Sequence, residues 1–263
     1  MHILVTNDDG VHAPGLLALA QAVRKLSDKV TILAPDHNWS ASGHVKTLHR
    51  PLRVKETELE DGTFAWASDG APSDCVALAQ LGFIPEKIDL VVSGINPNTN
   101  IGHDLTYSGT VTAAMEAAIW GIPGVAVSLD RPEDHSGPLD YQPAAEAARR
   151  VVKWLWDQPD LPKDTILNIN VPYGPLSEMA GFRVTRQGMR IYRDELVRRV
   201  DPRGKPYYWI GGEFPLGVEE PGTDYGSLSA GYVSITPLQL DLTSAPMKSW
   251  MESLDFEEEL KRS

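Results

Sequence analysis

Two adjacent carboxylates, Asp8 and Asp9, follow an apolar β-branched run at 2–6. Side by side at a strand end they repel each other, and removal from water adds to the penalty. A divalent cation relieves both. Carboxylate, hydroxyl, amide oxygen and water suit a hard ion such as Mg²⁺ or Mn²⁺. The plainer reading of the pair is an Asx turn, with Asp9 capping a helix that begins near Pro14. The loop over 94–110 is the second chemical signal. It is long for a connection inside a compact domain, and it ends in Ser108-Gly109-Thr110 directly before a helical pattern. Backbone N–H groups in such a first turn, with the helix dipole behind them, form an anion site. Ordinary capping also explains Ser108. Asn96 reads as a ligand or as a turn residue, and Asp104 as a turn cap or a partner for a basic group.

The elements that must place these residues follow from the apolar pattern. Short β-branched runs at 2–6, 30–34, 88–93, 124–128 and 166–171 predict strands buried on both faces, as in a parallel sheet. Helical patterns lie between them at 14–27, 73–82, 109–120 and 141–157. Val111, Ala114, Met115, Ala118 and Ile119 form one face of the third; Ala144, Ala148, Val151, Val152 and Leu155 form one face of the fourth. The alternation predicts an open α/β sheet with right-handed crossovers and helices on both faces. Ligands in such sheets sit beyond the carboxyl ends of the strands. That rule brings together Asp8, Asp9, Asn96 and the 108–110 turn. It also brings in the polar loop after Asp36, with Ser40, Ser42 and His44. After about residue 175 the rhythm changes. Residues 182–215 read as an extended hairpin arm that either packs against another subunit or folds back to complete this one. A further strand is expected at 231–238, and a short acidic helix in the tail. The chain therefore divides into a core over 1–175 and an extension over 176–263, integrated as one domain.

Composition removes several classes of function. The net charge of −12 argues against unassisted nucleic-acid binding, which needs clustered Lys and Arg. A single cysteine, Cys75, excludes an internal disulfide and a cysteine-rich zinc site. No signal-peptide pattern opens the chain, and the apolar stretch at 111–129 is interrupted by Glu116 and Pro123, so the expectation is a cytoplasmic protein without a membrane span. Walker A and GxGxxG patterns are missing after the first strand. His12 and His44 read as surface residues, and Cys75 as core. Trp154 and Trp156 cannot both face the core.

Seven blocks, in order, carry a resemblance: ILVTNDDG at 3–10, APDHNWSASGH at 34–44, DGAPSDCV at 69–76, SGIN at 93–96, YSGTVTAAMEA at 107–117, LNINVP at 167–172 and GYVSITPL at 231–238. With them the chain resembles the SurE (survival protein E) family of metal-dependent 5′/3′-nucleotidases over nearly its whole length. The resemblance implies a phosphomonoesterase acting on nucleoside 5′-monophosphates, with 3′-monophosphates and short polyphosphate as further substrates. It implies one divalent ion per subunit, Mg²⁺ or Mn²⁺, held by Asp8, Asp9, Ser40 and Asn96. Ser42 is the competitor of Ser40. Asp8, Asp9 and Asn96 are then the catalytic residues. Asn100, Gly102, Asp104, Ser108, Gly109 and Thr110 are the substrate-binding ones. It further implies a Rossmann-like three-layer αβα core, and a C-terminal extension exchanged within a homodimer or homotetramer. One stretch departs from the family pattern. Pro97-Asn98 stands where Arg-Gly is usual, although Asn100 and Gly102 match.

Other classes compete. A phosphorelay receiver domain also carries two acidic residues after its first strand, but it needs a phospho-accepting Asp where this chain has Ser93-Gly94-Ile95-Asn96, and it is about half as long. A calcium-dependent nucleoside hydrolase would release free base. A non-catalytic nucleotide-binding protein would release neither base nor phosphate.

Overall fold

The five apolar runs are all strands in the computed structural model, which describes residues 1–263 apart from 163, 255, 257–259, 262 and 263. The strands are β1 (His2–Thr6), β2 (Lys29–Pro35), β3 (Val54–Glu58), β4 (Phe64–Ser68), β5 (Leu90–Asn96), β6 (Gly124–Asp130), β7 (Ile166–Pro172), β8 (Gly181–Val184), β9 (Arg190–Val200), β10 (Pro206–Gly217) and β11 (Tyr232–Leu238). The helices are α1 (Pro14–Arg24), α2 (Pro72–Leu78), α3 (Gly109–Ile119), α4 (Gln142–Trp156), α5 (Asp224–Ser229) and α6 (Ala245–Ser253). One sheet of nine strands has the order β3-β4-β2-β1-β5-β6-β7-β11-β8. From β4 to β7 every neighbouring pair is parallel. β11 returns antiparallel to β7, and β8 lies parallel to β11. Strands from beyond residue 175 therefore complete the same sheet.

Alternation along the strands builds the layers. Ile3 and Val5 of β1 pack with Leu16, Leu19 and Val23 of α1 and with Ala144, Ala148, Val151 and Val152 of α4. Leu4, between them, points to the opposite face, with Cys75 and Val76 of α2 and Ala113 and Ala117 of α3. The result is an α/β fold of three layers, mostly parallel, with the expected helices on both faces. Cys75 is fully buried, and burial pushes its thiol far above the usual range, which suits a core residue.

Some elements depart from expectation. β3 and β4 form an antiparallel edge pair that the sequence did not announce. VKETE is an edge strand with little apolar content, so the usual periodicity is weak. Ile119 leaves the buried face of α3 and is exposed, because it lies at the end of the helix. Trp154 and Trp156 are both exposed. β9 and β10 pair antiparallel as a separate two-stranded arm, whose Leu196, Trp209 and Ile210 are open to solvent. The tail helix begins earlier than expected, at Ala245, and much of the acidic run over 255–263 lies outside the described residues. Among the described residues, no helix is long and apolar enough to cross a membrane.

Candidate active site

The strand order reverses at β1. The chain proceeds from β1 to β2 on one side, and β5 pairs with β1 on the other. The crevice beyond the carboxyl ends of β1 and β5 is thus the topological switch point of the sheet. Thr6 is in register with Ser93, so the turn carrying Asp8 and Asp9 leaves β1 close to where Asn96 ends β5.

Asp8 is buried, and its Oδ1 accepts a hydrogen bond from Thr110 Oγ1 at 2.5 Å. Burial raises its pKa; the Thr110 hydroxyl and the backbone N–H groups of Thr110 and Gly109 oppose the rise. The N-terminus of α3 is therefore aimed at this carboxylate. Gly109 allows the approach: a Cβ there would lie 2.7 Å from Asp8 Cβ. Asp9 is half-buried, and burial together with the neighbouring Asp8 charge pushes it up to about 7. Among the described residues, no cationic side chain offsets either carboxylate. Asn96 Nδ2 donates to Asn98 O at 2.5 Å, within the stretch where Pro97-Asn98 departs from the family pattern.

The loop after β2 joins this corner through its backbone. Trp39 N–H donates to Asp8 O at 2.7 Å, and Asn38 Nδ2 approaches Asp9 Oδ1 at 3.4 Å. Ser40 follows directly, exposed, with its N–H held by Asn38 Oδ1 at 2.7 Å. Ser42 is half-buried, with its hydroxyl 3.5 Å from Gly43 O. The oxygen-rich donor set suits a hard divalent ion, and two crowded carboxylates without a counter-charge are the local feature such an ion relieves.

The remaining expected residues divide by their partners. Ser108 caps α3, its Oγ accepting from Val111 N–H at 3.2 Å. Thr110 engages Asp8, as above. Asn100 is buried in a network: its N–H donates to Asn170 Oδ1 at 2.8 Å and its Nδ2 to Ser128 Oγ at 2.8 Å, while its carbonyl accepts from Asn168 and Asn170. Gly102 N–H donates to Asp224 Oδ2 at 3.0 Å, and Gln187 Nε2 donates to Gly102 O at 2.7 Å. Asp104 accepts from Arg190 Nη1 and from the Tyr192 hydroxyl. The open alternative for Asp104 is thus resolved toward a basic partner. Asn100, Gly102 and Asp104 shape the loop through their internal bonds.

Several residues at this corner escaped sequence reasoning. Arg190, Gln187 and Asp224 hold the 97–104 loop from segments more than eighty positions away, and nothing local marks them. Tyr141 stands near the pair, where burial and the Asp9 charge push its phenol up to about 12. His44 is not simply solvated: its Nε2 lies 2.9 Å from Glu116 Oε2. A lone Glu within an otherwise apolar helical run was the available signal. His12 is exposed, at 3.5 Å from Thr57 Oγ1.

Comparison with known proteins identifies the family. The model of the family described as "Survival protein SurE" matches residues 3–194. The chain is 50% identical over 254 residues to a protein of Herpetosiphon aurantiacus named 5′-nucleotidase SurE, covering 97% of each. A Chloroflexus aggregans protein of the same name is 51% identical over 254 residues, covering 97% of this chain and 98% of that one. The crystal structure of the SurE protein from Aquifex aeolicus superposes with a TM-score of 0.78 at 38% identity, covering 97% of this chain and 100% of the other.

Proposed function

The chain belongs to the survival protein SurE family, and from that premise we propose that it is a divalent-metal-dependent 5′-nucleotidase. It hydrolyses nucleoside 5′-monophosphates to nucleoside and inorganic phosphate. The observation that carries the reading is the pair of crowded carboxylates, Asp8 and Asp9, with no counter-charge among the described residues, at the β1–β5 switch point and against the N-terminus of α3. The names borne by relatives at about half identity support the same activity.

In this reading Asp8, Asp9, Ser40 and Asn96 hold one Mg²⁺ or Mn²⁺. When bound, such an ion supplies Lewis-acid stabilisation of charge on phosphate oxygens. The chain supplies position and electrostatics, which is most of what phosphoryl transfer requires. Thr110 and the first turn of α3 fix the Asp8 carboxylate in one orientation. From there Asp8 acts as ligand and as the base that accepts a proton from the attacking water. The positive end of α3, with Ser108, Gly109 and Thr110, lies beside the substrate phosphate and counters its charge. Asn100, Gly102 and Asp104 give the substrate loop its shape, and Arg190 secures it. The exposed apolar arm of β9 and β10 supports a homodimer or homotetramer.

The test is phosphate release from nucleoside 5′- and 3′-monophosphates, short polyphosphate and p-nitrophenyl phosphate, each with Mg²⁺, with Mn²⁺ and with EDTA. Metal-dependent phosphate release from 5′-monophosphates is expected. Free base without phosphate would replace this reading with nucleoside hydrolysis. Binding without either product would replace it with a non-catalytic role.

A further inference from the structure

The proposed reaction makes no use of Glu116, yet the helix that braces Asp8 also buries this acid. Its side chain is only 4% exposed. A carboxylate in such a place is costly unless several donors meet it. Three do: His44 Nε2 at 2.9 Å, Lys46 Nζ at 3.1 Å and Trp120 Nε1 at 3.0 Å. Trp120 closes α3 itself. His44 and Lys46 come from the loop between β2 and β3.

That loop is tied down at intervals. Gly43 N–H donates to Tyr107 O at 2.9 Å, and Thr112 Oγ1 donates to Gly43 O at 3.2 Å. On the α2 side, Ser73 Oγ donates to Val45 O at 2.5 Å, and Asp74 accepts from Thr47 N–H at 2.9 Å and from Thr47 Oγ1 at 2.7 Å. At its other end the loop meets the acidic pair through Trp39 N–H and Asn38. Ser40 lies between the two sets of anchors. The next residue, Ala41, has φ of 56°. A non-glycine residue adopts that left-handed conformation only when its surroundings impose it.

We propose that Glu116 is a positioning residue, clamping the 38–47 loop through His44 and Lys46 so that Ser40 is fixed over Asp8 and Asp9. The inference rests on the reading of Ser40 as a metal ligand. It adds a residue that touches neither ion nor substrate and acts through His44 and Lys46.

Two variants test it. Glu116→Gln keeps the size and an acceptor but removes the charge. Lys46→Met removes one donor from a half-exposed position and leaves the helix intact. Amide hydrogen exchange is followed in metal-free protein, and Mn²⁺ affinity by calorimetry. Loss of a charged hydrogen bond at a single anchor corresponds to about tenfold or more. The expected result in Glu116→Gln is exchange at least about tenfold faster over 39–47, with β1 and β5 unchanged, and Mn²⁺ binding weakened by a similar factor. Wild-type exchange over the loop would overturn the clamp. A loosened loop with unchanged Mn²⁺ affinity would overturn the positioning of Ser40. If Glu116→Gln loosens the whole sheet, Lys46→Met decides: local loosening supports the clamp, and wild-type exchange overturns it. Wild-type protein that binds no Mn²⁺ would refute the ligand reading by itself, and the exchange data would still decide whether Glu116 holds the loop.

Discussion

Gly109→Ala places the smallest possible probe between α3 and the acidic pair. The added Cβ would stand 2.7 Å from Asp8 Cβ, 3.3 Å from Cγ and 3.0 Å from Oδ2. Carbon atoms in ordinary contact need about 3.5 Å, so the two must separate by about 0.8 Å. Asp8 cannot yield freely, because Thr110 Oγ1 holds its carboxylate at 2.5 Å and its carbonyl accepts Trp39 N–H at 2.7 Å. The carboxylate and the first turn of α3 must therefore move apart. Displacement of about 1 Å at a reacting centre costs about 100-fold in rate, and kcat/KM is expected to fall between about 30- and 100-fold, equivalent to about 2–3 kcal/mol. Stability changes as well. Overpacking costs about 1–3 kcal/mol, while alanine in place of glycine in a helix returns up to about 1 kcal/mol. The net loss is about 0–3 kcal/mol, a fall in Tm of under about 12 °C for a chain of this size. Phosphate release from nucleoside 5′-monophosphates with saturating Mn²⁺, alongside a thermal melt, measures both. Turnover within threefold of wild type would refute the argument that α3 and Asp8 are held at contact distance for catalysis.

Asp8→Asn is expected to lower turnover by about 100- to 1,000-fold, the range seen when a group acting directly on the transition state is removed, while raising Tm in EDTA because Asp9 loses its repelling neighbour. Near-normal turnover would sink the assignment of Asp8. Arg190→Met removes a buried cation from Asp104 and should cost about 3 kcal/mol in urea unfolding, with a raised KM; unchanged stability would show that the pair does not hold the 97–104 loop. Glu116 gives a pH signature. Burial opposes its ionisation, but hydrogen bonds from His44, Trp120 and Lys46 and the Lys46 charge prevail, holding it at about 2 against an ordinary 4.5. A depressed carboxylate stabilises the fold above its ordinary pKa, and that contribution disappears as pH falls from about 4.5 to about 2. Discounted for the exposure of Lys46, it amounts to about 2 kcal/mol. The stability gap between wild type and Glu116→Gln should narrow across that window in urea titrations; a constant gap would refute it. Ile210→Asp, on the exposed arm, should shift light-scattering mass toward the monomer, and an unchanged mass would clear the arm of an assembly role.

The parallel core was legible because its strands are buried on both faces and so read as continuous apolar runs. β3 was not, since VKETE lies at the sheet edge with most of its side chains in water. α5, at six residues, is too short for a helical period to show. The meeting of the Asp8–Asp9 turn with the 108–110 turn was legible because each sits at the end of a regular element, where topology alone predicts convergence. The supports of the 97–104 loop were not. Asp224 meets Gly102 across 122 positions and Arg190 meets Asp104 across 86, and no spacing rule reaches that far. The paired tryptophans show the converse limit. Helical geometry correctly stated that Trp154 and Trp156 cannot both be core, but not that neither is.

α3 explains why residues so far apart form one corner. Ser108, Thr112, Glu116 and Trp120 are spaced four apart, so they share a single stripe of the helix. The other side, Val111, Ala114 and Ala118, is packed into core with Ala126 of β6. One end of the helix braces Asp8 through Thr110, and the stripe holds the Ser40 loop through Gly43 and His44. Two segments that meet nowhere in sequence are therefore referenced to the same rigid body. Such an arrangement lets a crowded acidic pair keep its geometry before any counter-charge arrives, since the forces that would drive the carboxylates apart must displace a helix packed on the sheet. Position is then set by the fold, and the helix that sets it is the one whose N-terminal dipole faces the charge.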